Sequence, residues 1–392
     1  MTPSARLQAA IVILDQVIAS ARAKGAPADR IVADWARGNR YAGAKDRRAV
    51  RELVYGAIRL CGPLPASGRA AALQLASHFP ELREQFDGSN YGPPAIGPSE
   101  EPAPGGVAPP WLEKRLTASG ITHQAAKALL DRAPLDLRIN TLKADPATLV
   151  LPQPGAPLPL PEALRLPPGT PVESWDAYRE GLVEVQDAGS QLACHAVGAK
   201  AGELVIDLCA GAGGKTLALA AAMGNQGTLI AADSDRRRLS QLPPRAERAG
   251  ARVADTVLLD PGRELEALGP WRGKADAVLI DAPCSGTGTW RRNPESRWRL
   301  TPPELTKLTD LQARLLRIAA VLVKPGGRLV YVTCSVLDEE GADQVAAFLA
   351  DEPQFTAASL ALPLGGPRGA GWRLDPASSA TDGFFIASLS CA

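Results

Sequence analysis

The stretch Leu204-Val-Ile-Asp-Leu-Cys-Ala-Gly-Ala-Gly-Gly-Lys-Thr216 decides the fold class of this chain. A short apolar strand runs into a glycine-rich turn, and the turn runs into an Ala- and Leu-rich helix. Glycine lets the backbone approach a ligand closely at a helix N-terminus. This layout opens an α/β unit whose ligand lies at the carboxyl edge of the strands. We therefore predict a small-molecule site at this turn.

The same strand, turn and helix rhythm continues to the end of the chain. Further short apolar runs lie at 228–233, 253–259, 277–280 and 328–333, separated by helical segments. Alternation of this kind is typical of a parallel sheet covered by helices on both faces. The carboxyl-terminal half is therefore expected to be an α/β domain.

The second strand ends at Asp233, 22 residues after Gly211, where a carboxylate can accept hydrogen bonds from both hydroxyls of a ribose. The glycines at 211, 213 and 214 do not follow the Gly-x-Gly-x-x-Gly spacing of nicotinamide enzymes. A P-loop is also disfavoured, because it would need glycine where Cys209 stands. An adenosyl ligand without a phosphate chain fits the pattern better.

Two cysteines lie just past the carboxyl ends of predicted strands, in Ile280-Asp-Ala-Pro-Cys-Ser-Gly-Thr-Gly288 and in Tyr331-Val-Thr-Cys-Ser335. If the two strands are neighbours, about 5 Å apart, both thiols face one substrate. A buried cysteine is often only a small apolar residue. Here both lie in turns rich in Gly, Ser and Thr, which favours a chemical role.

Methylation of carbon 5 of cytosine is a reaction that requires a thiol. That carbon is not nucleophilic enough to take a methyl group from a sulfonium, and thiolate attack at carbon 6 makes the ring enamine-like. The proton at carbon 5 must then leave so that β-elimination frees the enzyme. We expect Asp281 to hydrogen-bond the ring nitrogen during these charge changes.

At these residues the chain resembles the RsmB and Sun branch of the Nop/Sun family of RNA cytosine-5 methyltransferases. The resemblance covers roughly 110–392 and rests on Cys209 to Thr216, Asp233, Asp260, Asp281 to Gly288, Arg291 to Trp298, Thr333 to Ser335 and Asp382 to Phe385. It implies a Rossmann-like class I methyltransferase domain of the α/β class and S-adenosylmethionine as the cofactor.

The resemblance also implies roles for single residues. Cys334 would be the nucleophile, Cys284 would assist product release, and Asp281 would be the third catalytic residue. The cofactor would be contacted by Cys209, Ala210, Gly211, Ala212, Gly213, Gly214, Lys215, Asp233, Asp260 and Asp281. Gly211-Ala212 stand where the family usually has Ala-Pro, so we expect a less rigid turn.

Four segments are expected along the chain. Residues 1–87 resemble a trimmed all-α, NusB-like RNA-binding domain, and 88–110, with 12 Gly or Pro among 23 residues, are a linker. Residues 111–192 resemble a small α+β RNA-positioning module that carries Arg138-Ile-Asn140, and 193–392 are the methyltransferase domain.

The expected partner is RNA. Four arginines and two tryptophans in Trp290 to Arg299 suit a phosphate backbone and an unstacked base, although such a segment can also pack on protein. The basic helix Asp46 to Arg59 is either an RNA contact or a solvated face. By resemblance the target is small-subunit ribosomal RNA, with transfer RNA and a catalytically silent assembly factor as alternatives.

The composition of the chain excludes several other classes of protein. Six cysteines among 392 residues show neither a disulfide framework nor metal-ligand spacing. The net charge of +1 does not by itself indicate a nucleic-acid partner. A DNA cytosine methyltransferase would carry Glu-Asn-Val, which is absent. No secretory signal or membrane span is apparent, so we expect a cytoplasmic monomer.

Overall fold

The computed structural model describes residues 1–392 and divides them into two compact units. The first unit comprises 1–131 and 289–301, and the second comprises 132–288 and 302–392. Two expected boundaries differ from this division. The segment 111–131 belongs to the first unit rather than to the α+β module, and 289–301 belongs to the first unit rather than to the methyltransferase domain.

The first unit is helical, as was predicted for its residues 1–87. Its helices are α1 (Pro3–Ala23), α2 (Ala28–Gly38), α3 (Ala44–Leu60), α4 (Gly68–His78), α5 (Pro110–Ala118) and α6 (His123–Ala128). Apolar residues at helical spacing, such as Leu14, Val17, Val54 and Ile58, form a buried core among α1, α3 and α4. The two long helices α1 and α3 therefore pack through their apolar faces.

Helix α1 begins at a capped terminus, because the Thr2 side chain accepts a hydrogen bond from Ala5 N at 3.2 Å. It is long and apolar enough, by length and composition alone, to cross a membrane. In the structure Leu7, Leu14 and Val17 on this helix are buried in the core of the first unit.

The segment 88–109 contains no helix or regular strand, as its Gly and Pro content predicts. It nevertheless packs against the helices. Ala103 is buried and its N–H donates to Ala70 O at 2.9 Å, and Gly105 forms a β-bridge with Cys61. The expected linker is therefore part of the folded first unit and not a free spacer.

The second unit begins with a small four-stranded antiparallel sheet of order β2-β3-β1-β4. Its elements are β1 (Leu135–Ile139), β2 (Ala156–Pro157), β3 (Ala163–Leu166), α7 (Asp176–Arg179) and β4 (Val183–Val185). Leu137, Ile139, Trp175 and Val183 form its core. Residues 132–192 thus have the α+β character that was predicted for 111–192.

A nine-stranded mixed sheet forms the rest of the second unit, in the order β11-β12-β13-β9-β8-β5-β6-β7, with β10 paired to β13. Strands β5 to β9 are parallel, whereas β10 to β13 are antiparallel to their neighbours. The elements are α8 (Ala188–Val197), β5 (Leu204–Asp207), α9 (Gly214–Ala222), β6 (Thr228–Asp233), α10 (Arg236–Leu239), α11 (Leu242–Ala249), β7 (Asp255–Leu258), α12 (Glu264–Ala267), β8 (Ala275–Asp281), α13 (Pro302–Leu322), β9 (Val323–Thr333), α14 (Ala342–Asp351), β10 (Phe355–Ala357), β11 (Gly366–Arg368), β12 (Gly371–Leu374), α15 (Pro376–Ser379) and β13 (Phe384–Cys391).

Both faces of this sheet are buried, which confirms the predicted α/β, Rossmann-like fold. Ile206 and Ile280 point to one face and pack with α13, while Val205 and Leu279 point to the other face and pack with α8 and α9. Alternate residues of a strand face opposite sides. The carboxyl ends of β5, β6, β8 and β9 consequently lie along one edge, where the predicted site residues follow.

Candidate active site

The glycine-rich turn after β5 depends on two residues in the left-handed region. Gly211 has φ of 55° and Gly213 has φ of 89°, which residues with a Cβ seldom adopt. A Cβ on Gly213 would also lie 2.1 Å from Leu242 Cδ1. The turn delivers Gly214 and Lys215 to the first turn of α9, where the backbone N–H groups are open to a ligand.

Asp233, at the end of β6, holds this turn in place through two hydrogen bonds. Its Oδ2 accepts a hydrogen bond from Gly211 N, and its Oδ1 accepts one from Asp235 N, each at 2.7 Å. The side chain is buried. Each carboxylate oxygen has a second lone pair, so both can still accept a ligand hydroxyl. The structure thus brings the predicted ribose acceptor to the predicted turn, and gives it a structural task that sequence reasoning missed.

Asp207, the last residue of β5, is a further acid of this site that sequence reasoning did not single out. Its Oδ2 accepts a hydrogen bond from Thr216 Oγ1 at 2.7 Å, while its buried Oδ1 has no partner. Burial raises the pKa of Asp207 to about 7, although the Thr216 hydrogen bond opposes this shift. An unpaired buried oxygen is costly, so it marks a place for a ligand donor or a water. Its position at the strand end, directly before the turn, was the available signal.

Lys215 and Asp281 form a partly buried ion pair that connects the first turn of α9 to the end of β8. The distance from Lys215 Nζ to Asp281 Oδ2 is 2.7 Å, and the ammonium lies 5.6 Å from the centre of the Phe384 ring. Burial lowers the pKa of Lys215, but the Asp281 carboxylate more than reverses this, and the net pKa is raised. Lys215 is therefore a fixed cation beside the ends of β5 and β8.

The two predicted cysteines meet, with Cys284 Sγ and Cys334 Sγ 3.3 Å apart. Strands β8 and β9 are parallel neighbours with Asp281 opposite Val332, so the residues that follow them share one edge. Both cysteines are free thiols. The hydrogen bond with Cys334 and burial raise the pKa of Cys284 well above its usual value. The two sulfur atoms are therefore within the distance of an S–H···S hydrogen bond.

The motif Asp382-Gly-Phe-Phe385 supports the turn that carries Cys284. Gly383 N donates to Gly288 O at 2.8 Å, and Gly288 N donates to Cys334 O at 3.0 Å. A Cβ on Gly288 would lie 2.1 Å from Gly383 O, so only glycine fits there. This close approach connects three of the motifs on which the resemblance rests.

The remaining predicted cofactor residues lie around the same turn. Ala210 N donates to Ala232 O at 2.9 Å, Ala212 O accepts a hydrogen bond from Arg245 Nη1 at 2.8 Å, and burial raises the pKa of Cys209 well above its usual value. Asp260 follows β7, two residues beyond the partner of Asp233 in the β6–β7 register. Its side chain is 71% exposed, with Arg263 at 3.9 Å.

The structure contradicts the expected RNA contact of Trp290 to Arg299 for three of its residues, Trp290, Arg297 and Trp298, which are buried. Trp290 and Arg297 are fully buried, and Arg297 Nη2 donates to Ile58 O at 2.6 Å and to Cys61 O at 2.7 Å. Trp298 Nε1 donates to Gly62 O at 3.1 Å. The guanidinium satisfies carbonyls at the end of α3, which have no partner within the helix.

The signature Arg138-Ile-Asn140 is also internal. Arg138 Nε donates to Gln186 Oε1 at 2.7 Å, and Asn140 Nδ2 donates to Gly181 O and to Ala249 O, each at 2.8 Å. Both side chains are buried. Asn140 thereby attaches the small sheet to the end of α11, and any RNA contact of the module must come from residues other than these two.

Comparison with known proteins points to one family. The family profile described as 16S rRNA methyltransferase RsmB/F matches residues 195–390. The ribosomal RNA small subunit methyltransferase B of Citrobacter koseri is 37% identical over 295 residues, which are 72% of this chain and 66% of that protein. The protein of the same name from Salmonella typhi is 35% identical with the same coverage. The matched part therefore spans about two thirds of the length of these curated relatives.

Solved structures agree in fold. The crystal structure of PH0851 matches with a TM-score of 0.74 and 26% identity, covering 99% of both chains. NSun6 from Pyrococcus horikoshii, crystallised with the ligand SFG, matches with a TM-score of 0.63, and covers 71% of this chain and 97% of its own. At 21% identity this second likeness concerns the fold alone.

Proposed function

This chain belongs to the RsmB/F family of 16S rRNA methyltransferases, and from that membership and its site geometry we propose that it methylates carbon 5 of a cytosine in RNA with S-adenosylmethionine. The observation that carries the proposal is the thiol pair. Cys284 Sγ and Cys334 Sγ lie 3.3 Å apart at the carboxyl edge of two parallel strands, beside the Lys215–Asp281 ion pair. Thiols at this edge suit covalent catalysis.

The residues at the β5 and β6 ends fit S-adenosylmethionine. The left-handed glycines leave the backbone of the turn open to a ligand, Asp233 retains a lone pair on each oxygen for the ribose hydroxyls, and buried Asp207 Oδ1 lacks a donor. An adenosyl ligand with an amino group supplies hydroxyl donors for Asp233 and an N–H donor for Asp207 Oδ1. When bound, the cofactor supplies an electrophilic methyl group on its sulfonium.

In this mechanism Cys334 is the nucleophile. Its thiolate attacks carbon 6 of the cytosine, which makes carbon 5 nucleophilic, and Asp281 hydrogen-bonds the ring as the charge changes. After methylation the carbon-5 proton leaves to water, and the electrons of that C–H bond form the C5–C6 double bond as the C6–S bond breaks. The electron pair of the C6–S bond returns to Cys334 Sγ. Cys284 assists this release by donating its S–H to the departing thiolate.

For the substrate we propose small-subunit ribosomal RNA in the cytoplasm, because the curated relatives carry that substrate in their names. The first unit offers a surface that suits RNA. Tyr41 is 72% exposed, and Arg40, Lys45 and Arg48 beside it in the chain are exposed as well. Cations around an exposed aromatic ring can bind phosphates and stack on a base. We propose that the enzyme works as a monomer.

Cysteine variants test the mechanism. Cys334→Ala removes the attacking group, so we expect neither methylated RNA nor a covalent adduct. Cys284→Ala allows attack and methyl transfer but impairs release, so a protein–RNA adduct should accumulate as a shifted band on a denaturing gel. The double variant should show no adduct, and Cys391→Ala, at the far end of β13, is the matched control.

The opposite pattern would refute these roles. Trapping of RNA by Cys334→Ala but not by Cys284→Ala would reverse the two assignments, and full activity in both variants would exclude a covalent mechanism. Bisulfite sequencing of ribosomal and transfer RNA from a deletion strain, complemented with the wild type or with Cys334→Ala, identifies the methylated cytosine. A site in transfer RNA would reject the ribosomal substrate.

A further inference from the structure

Glu340 is a buried acid next to the thiol pair that the mechanism above does not use. It ends the short 3₁₀ turn Asp338–Glu340, six residues after Cys334, and its side chain is fully buried. Its Oε1 accepts a hydrogen bond from Ser285 N at 2.8 Å, and its Oε2 accepts one from Ser285 Oγ. The carboxylate therefore holds the residue that directly follows Cys284.

The residue before Cys284 is held through the same carboxylate. Gln312 Nε2, on α13, donates to Pro283 O at 2.9 Å and to Glu340 Oε1 at 3.1 Å. Both peptide neighbours of Cys284 are thus fixed, one by Glu340 and the other by a side chain that Glu340 orients. Because backbone groups on both sides are fixed, the Cys284 side chain has little freedom to leave its partner.

The turn of Cys284 is also connected directly to the turn of Cys334. Thr287 Oγ1 and Ser335 Oγ are 2.9 Å apart, and Val336 N donates to Thr287 Oγ1 at 3.1 Å. Tyr331 OH donates to Glu340 O at 2.8 Å, which fixes the backbone of Glu340 to strand β9. Glu340 is therefore positioned by the strand that leads to one cysteine and, in turn, positions the other.

All three donors to the Glu340 carboxylate are uncharged. Burying a carboxylate among neutral donors costs free energy, and a neutral side chain would fix the turn at lower cost. The charge itself therefore requires a use. We propose that Glu340 is a positioning residue for the release step, one that holds Cys284 against Cys334 and uses its negative charge to keep Cys284 as the protonated partner.

The charges around Cys284 agree with this role of Glu340. The role rests on the proposed function. The groups facing Cys284 are Cys334, Glu340 and Tyr331, and the Lys215 ammonium acts on Cys334. The hydrogen bond with Cys334 raises the pKa of Cys284 most, burial raises it next, and the charge of Glu340 raises it further. A protonated Cys284 can donate its S–H to the Cys334 thiolate when the C6–S bond breaks, whereas a second thiolate would oppose that step.

The first test needs neither RNA nor cofactor. In a Cys334→Ser background, alkylation of Cys284 by iodoacetamide is followed by peptide mapping from pH 7 to 10. Glu340→Gln keeps the shape of the side chain and removes its charge, so we expect the Cys284 pKa to fall by about one unit and alkylation at pH 8 to quicken by about tenfold. Glu339→Gln, which removes the same charge one residue away, is the matched control.

The second test follows release in otherwise wild-type protein. With Glu340→Gln, adduct on a denaturing gel should accumulate from about one pH unit lower than in the wild type, while methyl transfer in a single turnover is retained. In the Cys284→Ala background the substitution should have no further effect, because Glu340 acts through Cys284. Equal slowing in both backgrounds would overturn the proposal.

Unchanged alkylation of Cys284 in Glu340→Gln would overturn the proposal even if RNA methylation proceeds as proposed. Conversely, altered alkylation without RNA methylation would reject the proposed function and keep the Glu340–Cys284 coupling. If Glu340→Gln does not fold, Ser285→Ala takes its place. This variant removes one hydrogen-bond donor to the Glu340 carboxylate and leaves the carboxylate charge. We then expect slower alkylation of Cys284, and faster or unchanged alkylation is the contradicting result.

Discussion

Replacement of Asp233 is the sharpest probe of the cofactor site, because this carboxylate joins the turn to the end of β6. Asp233→Ala removes the acceptor of Gly211 N and of Asp235 N, and also the two lone pairs that we assign to the ribose hydroxyls. Asp233→Asn keeps one acceptor oxygen and removes the charge. Asp233→Asn is therefore the milder variant, expected to reduce both the stability and the cofactor binding less than Asp233→Ala does.

The magnitudes follow from these bonds. A hydrogen bond to a charged acceptor contributes about 1.5–3 kcal/mol, so the loss of two backbone bonds should lower the free energy of unfolding by about 3 kcal/mol or more in Asp233→Ala. Loss of the ribose bonds should weaken cofactor binding by about 1.5–3 kcal/mol, which raises Kd about 10- to 150-fold. Asp233→Asn should show about half of each effect.

Calorimetric titration with S-adenosylmethionine gives the affinity, and urea denaturation gives the stability. Asp255→Asn, which removes an exposed carboxylate at the start of β7, is the control for net charge. RNA affinity should change little in all three variants. A folded Asp233→Ala protein with wild-type affinity for the cofactor would refute the assignment of Asp233 as the ribose acceptor.

Three further predictions follow from the same contacts. Because the folded-state pKa of Asp207 is raised to about 7 from a usual value of 3.8, the folded protein keeps a proton that the unfolded chain loses. Stability should therefore fall by about 3 kcal/mol as the pH rises from 4 to 7, and Asp207→Asn should flatten this dependence in urea denaturation. Arg297→Met leaves two buried carbonyls at the end of α3 unpaired, so the free energy of unfolding should fall by about 2–4 kcal/mol. Weaker RNA binding at unchanged stability would instead restore the interpretation of Arg297 as an RNA contact. Gly288→Ala puts a Cβ 2.1 Å from Gly383 O, so methylation should be lost while cofactor affinity is kept, and an active variant would show that the two turns can separate.

The cofactor turn and the thiol pair were predictable because each depends on local pattern and on one rule of topology. Apolar runs followed by Gly-rich or Ser-rich turns identify strand ends from neighbouring residues alone. In a parallel sheet these ends lie along one edge, so Asp233, Cys284 and Cys334 were expected together before any distance was known.

The segment Trp290 to Arg299 shows where this reasoning fails. Arginine binds the phosphate oxygens of RNA and the carbonyl oxygens of a buried helix end equally well. The flat apolar ring of tryptophan likewise suits both environments. Arg297 meets Ile58 O and Cys61 O more than 230 residues away along the chain. No property of the segment itself distinguishes these two environments.

What the sequence by itself determined is the α/β class, the strand ends and the chemical character of the groups that follow them, because periodicity and residue type are local properties. Only the tertiary structure decided which groups are paired, buried or without a partner. Asp281 was expected as a catalytic residue, and the structure pairs it with Lys215; Glu340 acquires its importance from Ser285, 55 residues away. Burial and pairing depend on contacts between distant parts of the chain, and these contacts set the ionisation states on which the chemistry depends.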